Sequence, residues 1–258
     1  MAEPFSIAAV SDQLRILGVR AGGILLVHTG FRAVRPIEGG IDGFIAALRA
    51  ALGPEGTLVL PSAGNDDDRP FDAAATPADP GLGAVPEHFR SMRGVLRGED
   101  YSAYAAIGPR AAEIVGTRWT VPPSAPGSAI DVMRKLGAQV ALIGCKHDAN
   151  TMLHLAELIG GAPYRVPRHF TLLDGGMLRR VDYGENDHCC EGFDAMDGWL
   201  RGQGLQAEGP VGHAHARLFD AADAVRIGAA KVAADPLIFL HPPGTGCEEC
   251  DEARASVF

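Results

Sequence analysis

The stretch Val140-Ala-Leu-Ile-Gly144, followed three residues later by Asp148-Ala-Asn-Thr-Met-Leu-His154-Leu-Ala-Glu157-Leu, decides how the rest of the chain is read. Aliphatic residues closed by a glycine make a buried strand ending in a turn. Asn150 or Thr151 then caps a helix in which Leu153, Ala156 and Leu158 recur at helical spacing. A strand running into a helix belongs to an open α/β sheet, where ligand chemistry gathers beyond the carboxyl ends of the strands. His154 falls in the first turn of that helix. The helix dipole there lowers a histidine's pKa and favours the neutral imidazole, which makes His154 a candidate general base. The simpler reading is a helix-start histidine paired with Glu157 one turn on.

Working outward, Gly23-Ile-Leu-Leu-Val-His28 is an apolar strand that runs into Thr29-Gly30-Phe31-Arg32, where exposed amides suit a phosphate or carbonyl oxygen. This is neither the dinucleotide fingerprint nor a P-loop. A helix over 41–52, with Phe44, Ile45 and Leu48 inward, leads to the strand Thr57-Leu-Val-Leu-Pro61; strand, helix and strand in this space predict a parallel βαβ unit. Residues 6–17 read as an opening helix capped by Ser6, and 64–83 as an irregular loop carrying Asp66-Asp67-Asp68. Three aspartates are either a solvated surface or a docking strip for a polyamine. Short helices near 87–93, 109–115 and 130–136 and a brief strand at 104–107 fill the middle of the chain.

Beyond Pro163 the texture changes. Strands at 168–173 and 177–183, joined by Asp174-Gly175-Gly176, predict a hairpin added antiparallel to the parallel core. Helices near 193–200 and 220–234 follow, with Gly209-Pro-Val-Gly-His213 as a loop between them. The expected fold is α/β: a mixed central sheet with parallel core strands flanked by helices, plus the hairpin. A single domain over 1–258 is expected, with 164–258 as its C-terminal α+β portion.

A chain of 258 residues can bury a substantial core, and its formal charge of −9 argues against a nucleic-acid backbone as partner and for a cationic ligand. No apolar run reaches the roughly 20 residues of a membrane span, and Met-Ala-Glu-Pro-Phe lacks the regions of a signal peptide, so the expected location is cytoplasmic. The five cysteines are then expected to be reduced thiols.

Two constellations carry chemistry. Glu185-Asn-Asp187-His188-Cys189-Cys190 supplies carboxylates that would hold one nitrogen of His154 while the other takes a proton. Cys247-Glu-Glu-Cys250 has the spacing with which two thiolates grip one zinc, with His188, Cys189 and Cys190 as the remaining ligands. Reduced cysteines packed near a chain end are the favoured alternative.

With these residues in place the chain resembles the aminoglycoside 3-N-acetyltransferase family, also called the antibiotic N-acetyltransferases. The likeness spans nearly the whole length: Leu-Leu-Val-His28-Thr-Gly-Phe-Arg32, Gly53-Pro-Glu-Gly56, Asp148-Ala-Asn-Thr-Met-Leu-His154-Leu-Ala-Glu157, Val166-Pro-Arg168-His169, Glu185-Asn-Asp187-His188-Cys-Cys190 and Gly209-Pro-Val-Gly212. It is strongest to the branch acting on apramycin and gentamicin, through Pro236-Leu-Ile-Phe-Leu-His-Pro-Pro243 and Cys247-Glu-Glu-Cys250. The resemblance implies acetyl transfer from acetyl-CoA to the 3-amino group of a cationic aminoglycoside's 2-deoxystreptamine ring, with no metal required, in a monomer or homodimer. It implies His154 as the base, with Glu185 and Asp187 orienting it and binding drug. Asp67, Asp68 and Asn150 are implied at the drug, and His28, Thr29, Gly30, Phe31, Arg32, Gly127 and Ser128 near the coenzyme. Backbone amides near Thr29 or the His154 helix start are the expected oxyanion donors. Alternatives are a different amine as acceptor, or a drug-binding protein with impaired coenzyme binding.

Two departures stand out. Arg97-Gly98-Glu99-Asp100-Tyr101 replaces a common Arg-Ser-x-His-Pro, which implies weaker acetyl-CoA binding if the segment lies near the phosphates. Thr29-Gly30 stands where two serines are usual.

Overall fold

The computed structural model describes residues 3–117, 119–174 and 176–257. Helix α1 (Ile7–Leu17) precedes β1 (Ile24–Thr29), the short α2 (Phe31–Val34), α3 (Gly40–Leu52) and β2 (Thr57–Pro61). Then come α4 (Ala84–Arg90), β3 (Leu96–Arg97), β4 (Tyr104–Ile107), α5 (Ala111–Val115), α6 (Ala129–Lys135), β5 (Gln139–Ile143) and α7 (Met152–Gly160). The chain ends with β6 (Val166–Asp174), β7 (Met177–Glu185), α8 (Met196–Arg201), β8 (Gln206–Val211), β9 (Ala214–Asp220), α9 (Ala221–Ala234) and α10 (Glu248–Ala255).

Seven strands make one sheet in the order β3-β4-β2-β1-β5-β9-β8. The three central strands β2, β1 and β5 run parallel, and β4 and β9 pair antiparallel on either side. Both faces of the centre are covered, which is why β1 is a continuous apolar run. Alternate residues serve opposite cores: Leu26 packs with α7 residues such as Leu153 and Leu155, whereas Leu25 and Val27 pack with Leu14 of α1 and Phe44 and Leu48 of α3. Ser6 caps α1 as expected, its hydroxyl accepting from the Ala9 amide at 3.1 Å.

Two expectations need correction, and one helix is new. The 166–185 hairpin forms, in register from Val166 opposite Glu185 to Asp174 opposite Met177, but it is a separate two-stranded sheet rather than an addition to the core. Of its predicted turn, Gly175 lies outside the described residues. The antiparallel addition on that side is instead β8-β9, where a loop was expected at 209–213; only Gly212, with φ of 58°, and His213 form the turn. Ala214, Ala216 and Leu218 face the core in strict alternation, a pattern that small residues and Pro210 made faint. Helix α10 was not foreseen because Cys250 and Ala253 alone are buried along it. No described helix is long and apolar enough to cross a membrane.

Candidate active site

Helix α7 starts beyond the carboxyl end of β5, and places His154 and Glu157 on one side, one turn apart. Glu157 is wholly buried, and its carboxylate is the hub of the site. One oxygen, Oε2, accepts from His154 Nδ1 at 3.1 Å. The other, Oε1, accepts from His188 Nε2 at 2.8 Å and from the Tyr164 hydroxyl. The Cys190 amide donates to His188 Nδ1 at 3.0 Å, which fixes the tautomer with its proton on Nε2. A buried carboxylate is tolerable when several donors replace its water. Accordingly, burial pushes the Glu157 carboxyl up, but His154 and His188 outweigh it and hold it below the ordinary range.

With Nδ1–H donated to Glu157, neutral His154 carries its lone pair on Nε2. That atom faces Cys190 Sγ at 3.7 Å, and 26% of the side chain remains exposed. Cys190 is the only described non-glycine residue with positive φ, 61°, a turn that brings its amide to His188 and its sulfur towards His154. The expected pKa direction is reversed. Burial lowers the pKa of His154, but Cys190 and Glu157 together hold it well above the ordinary histidine value. A full charge in hydrogen-bond contact outranks the partial charge of a helix terminus.

The carboxylate that holds His154 is therefore Glu157, not Glu185 or Asp187. Asp187 is committed to Arg168 Nε at 2.6 Å. Glu185 accepts from the Tyr183 hydroxyl at 3.1 Å, and burial raises its carboxyl pKa while His154 opposes that shift. The simple helical pairing is the one observed, and it is also the arrangement that a general base would need. Tyr164 and His188 were missed as partners of Glu157; no spacing rule links residues brought together by the turn after α7 and by the end of β7.

The remaining residues divide by availability. Asn150 is not open to a ligand: it is 1% exposed, its Nδ2 meets His147 Nδ1 at 3.1 Å and its Oδ1 caps the Met152 amide at 3.2 Å. Asp68 is largely exposed and meets His169 Nε2 at 2.8 Å. Asp67 is hydrogen-bonded to Tyr101, whose hydroxyl pKa is raised by burial first and by Asp67 next. Tyr101 lies parallel to Phe170 at 6.3 Å, with Trp119 edge-on to the same ring at 5.7 Å. These rings line a cleft of about 810 Å³, along with Asp72 and Asp100. His154 is not among the cleft's lining residues; contacts run from Phe170 through Tyr183 to Glu185, whose carboxyl feels the charge of His154.

His28 Nε2 and Thr29 Oγ1 in β1, Ser62 Oγ just after β2 and Ser128 Oγ just before α6 are buried without a hydrogen-bond partner among the described residues. Such orphaned polar atoms suit a polar ligand. Burial, then the charge of His147, push His28 down to about 4, so it is neutral near pH 7. Gly127 donates to Asp131 at 2.9 Å ahead of α6, and Arg32 is exposed on α2 beside Phe31, which packs on Phe44. Gly30 is dictated by packing: a Cβ there would lie 2.4 Å from the Gly144 carbonyl oxygen. Its amide donates to Ile143 O at 2.9 Å, and the Met152, Leu153 and His154 amides also have protein acceptors. These four amides, expected as oxyanion donors, are therefore occupied.

The departing segment is also built in. Arg97 reaches the Ser62, Ala73 and Thr76 carbonyls and lies 4.6 Å over the Phe71 ring, tying the acidic loop to β3. Burial raises the Asp100 carboxyl to about 6.

Of the zinc ligands read from sequence, His188 and Cys190 belong to the His154 site, whereas Cys189, Cys247 and Cys250 gather elsewhere with His241.

A profile of the family described as aminoglycoside 3-N-acetyltransferase matches residues 26–233. The chain is 52% identical to aminoglycoside N(3)-acetyltransferase IV from Salmonella sp over 239 residues, 93% of this chain and 92% of that one. It is 32% identical to aminoglycoside N(3)-acetyltransferase VIII from Streptomyces fradiae over 254 residues, 83% of this chain and 87% of that one. Among solved structures, the aminoglycoside acetyltransferase AAC(3)-IVa apoenzyme superposes with a TM-score of 0.97 at 52% identity, covering 100% of this chain and 99% of that one. The H154A mutant of AAC(3)-IVa in complex with apramycin gives 0.91 at 50% identity, covering 97% and 100%. On the family match and these identities, the chain belongs to the aminoglycoside 3-N-acetyltransferase family.

Proposed function

We propose that this chain transfers the acetyl group of acetyl-CoA to the 3-amino group of gentamicin- and apramycin-type aminoglycosides in the cytoplasm, and so confers resistance. One observation carries the reading: Glu157 holds His154 by Nδ1 and leaves the Nε2 lone pair beside Cys190 Sγ, with 26% of the imidazole side chain exposed. An ammonium cannot attack a thioester, so the reacting nitrogen must first give up a proton. His154 Nε2 accepts it, and Glu157 stabilises the imidazolium that forms. The freed amine adds to the thioester carbonyl; as the adduct collapses the C–S bond breaks, the nitrogen loses its second proton and the sulfur takes up one, so the coenzyme leaves as a thiol and the proton on His154 is released to solvent. Both substrates are held together, which removes most of the entropic cost of their encounter. No step needs a metal or an acyl-cysteine.

Asp67, Asp68, Glu185 and Asp187 form an acidic rim that draws a polycation towards this base by charge-assisted hydrogen bonds. For the coenzyme, the orphaned Thr29 and Ser128 hydroxyls and His28 Nε2 are donors for the pantetheine and thioester, with exposed Arg32 available to its phosphates. The continuous cores on both faces of the sheet support one catalytic domain over 1–258.

The test is coenzyme A release on a panel of aminoglycosides, polyamines and amino sugars, with the acetylated position read by NMR. Turnover with gentamicin and apramycin and acetyl on the 3-amino nitrogen is the expected result. Preference for polyamines, or acetylation at another nitrogen, would remove this assignment.

A further inference from the structure

We propose that Cys189, His241, Cys247 and Cys250 bind one structural zinc ion. The four ligand atoms lie within 4.8 Å of one another. Cys189 Sγ is 3.6 Å from His241 Nδ1 and 3.5 Å from Cys250 Sγ, and Cys250 Sγ is 3.8 Å from His241 Nδ1. With Zn–S bonds of about 2.3 Å and Zn–N bonds of about 2.0 Å, a tetrahedral ion separates its ligand atoms by roughly 3.5–3.8 Å. Three edges of the tetrahedron thus already have the length that zinc requires.

The surroundings fit a metal better than packed thiols. His241 Nε2 points to Glu191 Oε2 at 3.4 Å, so the carboxylate holds the proton there and leaves the Nδ1 lone pair for the ion. The His241 amide donates to Cys250 Sγ at 3.4 Å, a contact that favours a thiolate. Three thiolates and an imidazole are soft ligands suited to zinc, and they fill all four positions, which leaves no open site for catalysis. The four ligands come from three stretches: the chain before residue 191, the loop after 240, and the start of α10. One ion would clamp the tail of the chain to the segment carrying His188 and Cys190, and so brace the wall beside His154.

Zinc per chain is measured by mass spectrometry in full-length protein prepared without a metal-affinity tag or chelator. About one zinc is expected, lost in Cys250→Ser together with a lower melting temperature. Because that variant can fail to fold, Glu191→Gln is the second arm: its carboxylate is exposed, and zinc should transfer to a competing chelator about 10–100-fold more readily. Wild-type protein that holds no zinc and takes up none when it is supplied would overturn the proposal. So would a Cys189–Cys250 disulfide, or folded Cys250→Ser retaining zinc as tightly as the wild type.

Discussion

The centre around Glu157 and the rim around Asp68 use the same functional group in opposite ways. Glu157 has no exposed surface and three donors, whereas the Asp68 side chain is 82% exposed with His169 as partner. A buried, fully paired carboxylate sets the proton affinity of a neighbour and cannot move to meet a ligand. An exposed one is free to reorient towards a ligand, and its field reaches about 10 Å into solvent at ordinary ionic strength. Under the proposed function, the centre would govern turnover and the rim capture.

Substitutions should separate the two along that line. His154→Ala should lower kcat by about 10²–10⁴-fold, the usual contribution of a positioned base, while the aminoglycoside Kd from calorimetry changes little. A kcat within a few-fold of wild type would place the base elsewhere. Asp100→Asn tests a carboxylate between these extremes. Above its pKa of about 6 the buried Asp100 is charged, so removing that charge should lower the acetyl-CoA KM at pH 7.5 by about two- to fivefold and have no effect at pH 5. An unchanged KM at both values would place the coenzyme's phosphates away from this segment. Asp68→Asn is expected to be milder: a rise of about twofold in aminoglycoside KM that disappears at high salt, with kcat unchanged.

The sequence made the centre of the fold legible and its edges much less so. The apolar runs of β1, β2 and β5 and the periodicity of α3 and α7 are strong because both faces of the sheet are covered. Strands β8 and β9 alternate small residues with polar ones, so their pattern is weak until Ala214, Ala216 and Leu218 are seen packed. At the site, His154 could be found because helix start and strand end flag such positions. Its partner could not be chosen from sequence: Glu157, Glu185 and Asp187 are all carboxylates, and only packing shows that Asp187 is held by Arg168 while Glu157 lies under the imidazole. His241 was quoted within a matching segment yet not read as a ligand, because contact across 52 residues leaves no spacing signature.

The central claim is that Glu157, rather than Asp187, is the carboxylate that joins Cys190 in raising the proton affinity of His154, and the pH dependence of kcat/KM in Glu157→Gln and Asp187→Asn tests it directly. His154 must be neutral to act, so the rate rises with pH through its raised pKa, and the acidic limb of the wild-type profile should lie above the ordinary histidine value of about 6.5. Losing the carboxylate beside Nδ1 removes a charge that favours the imidazolium, so Glu157→Gln should move that limb to lower pH, while Asp187→Asn leaves it in place. A limb that stays put in Glu157→Gln and moves in Asp187→Asn would contradict the account.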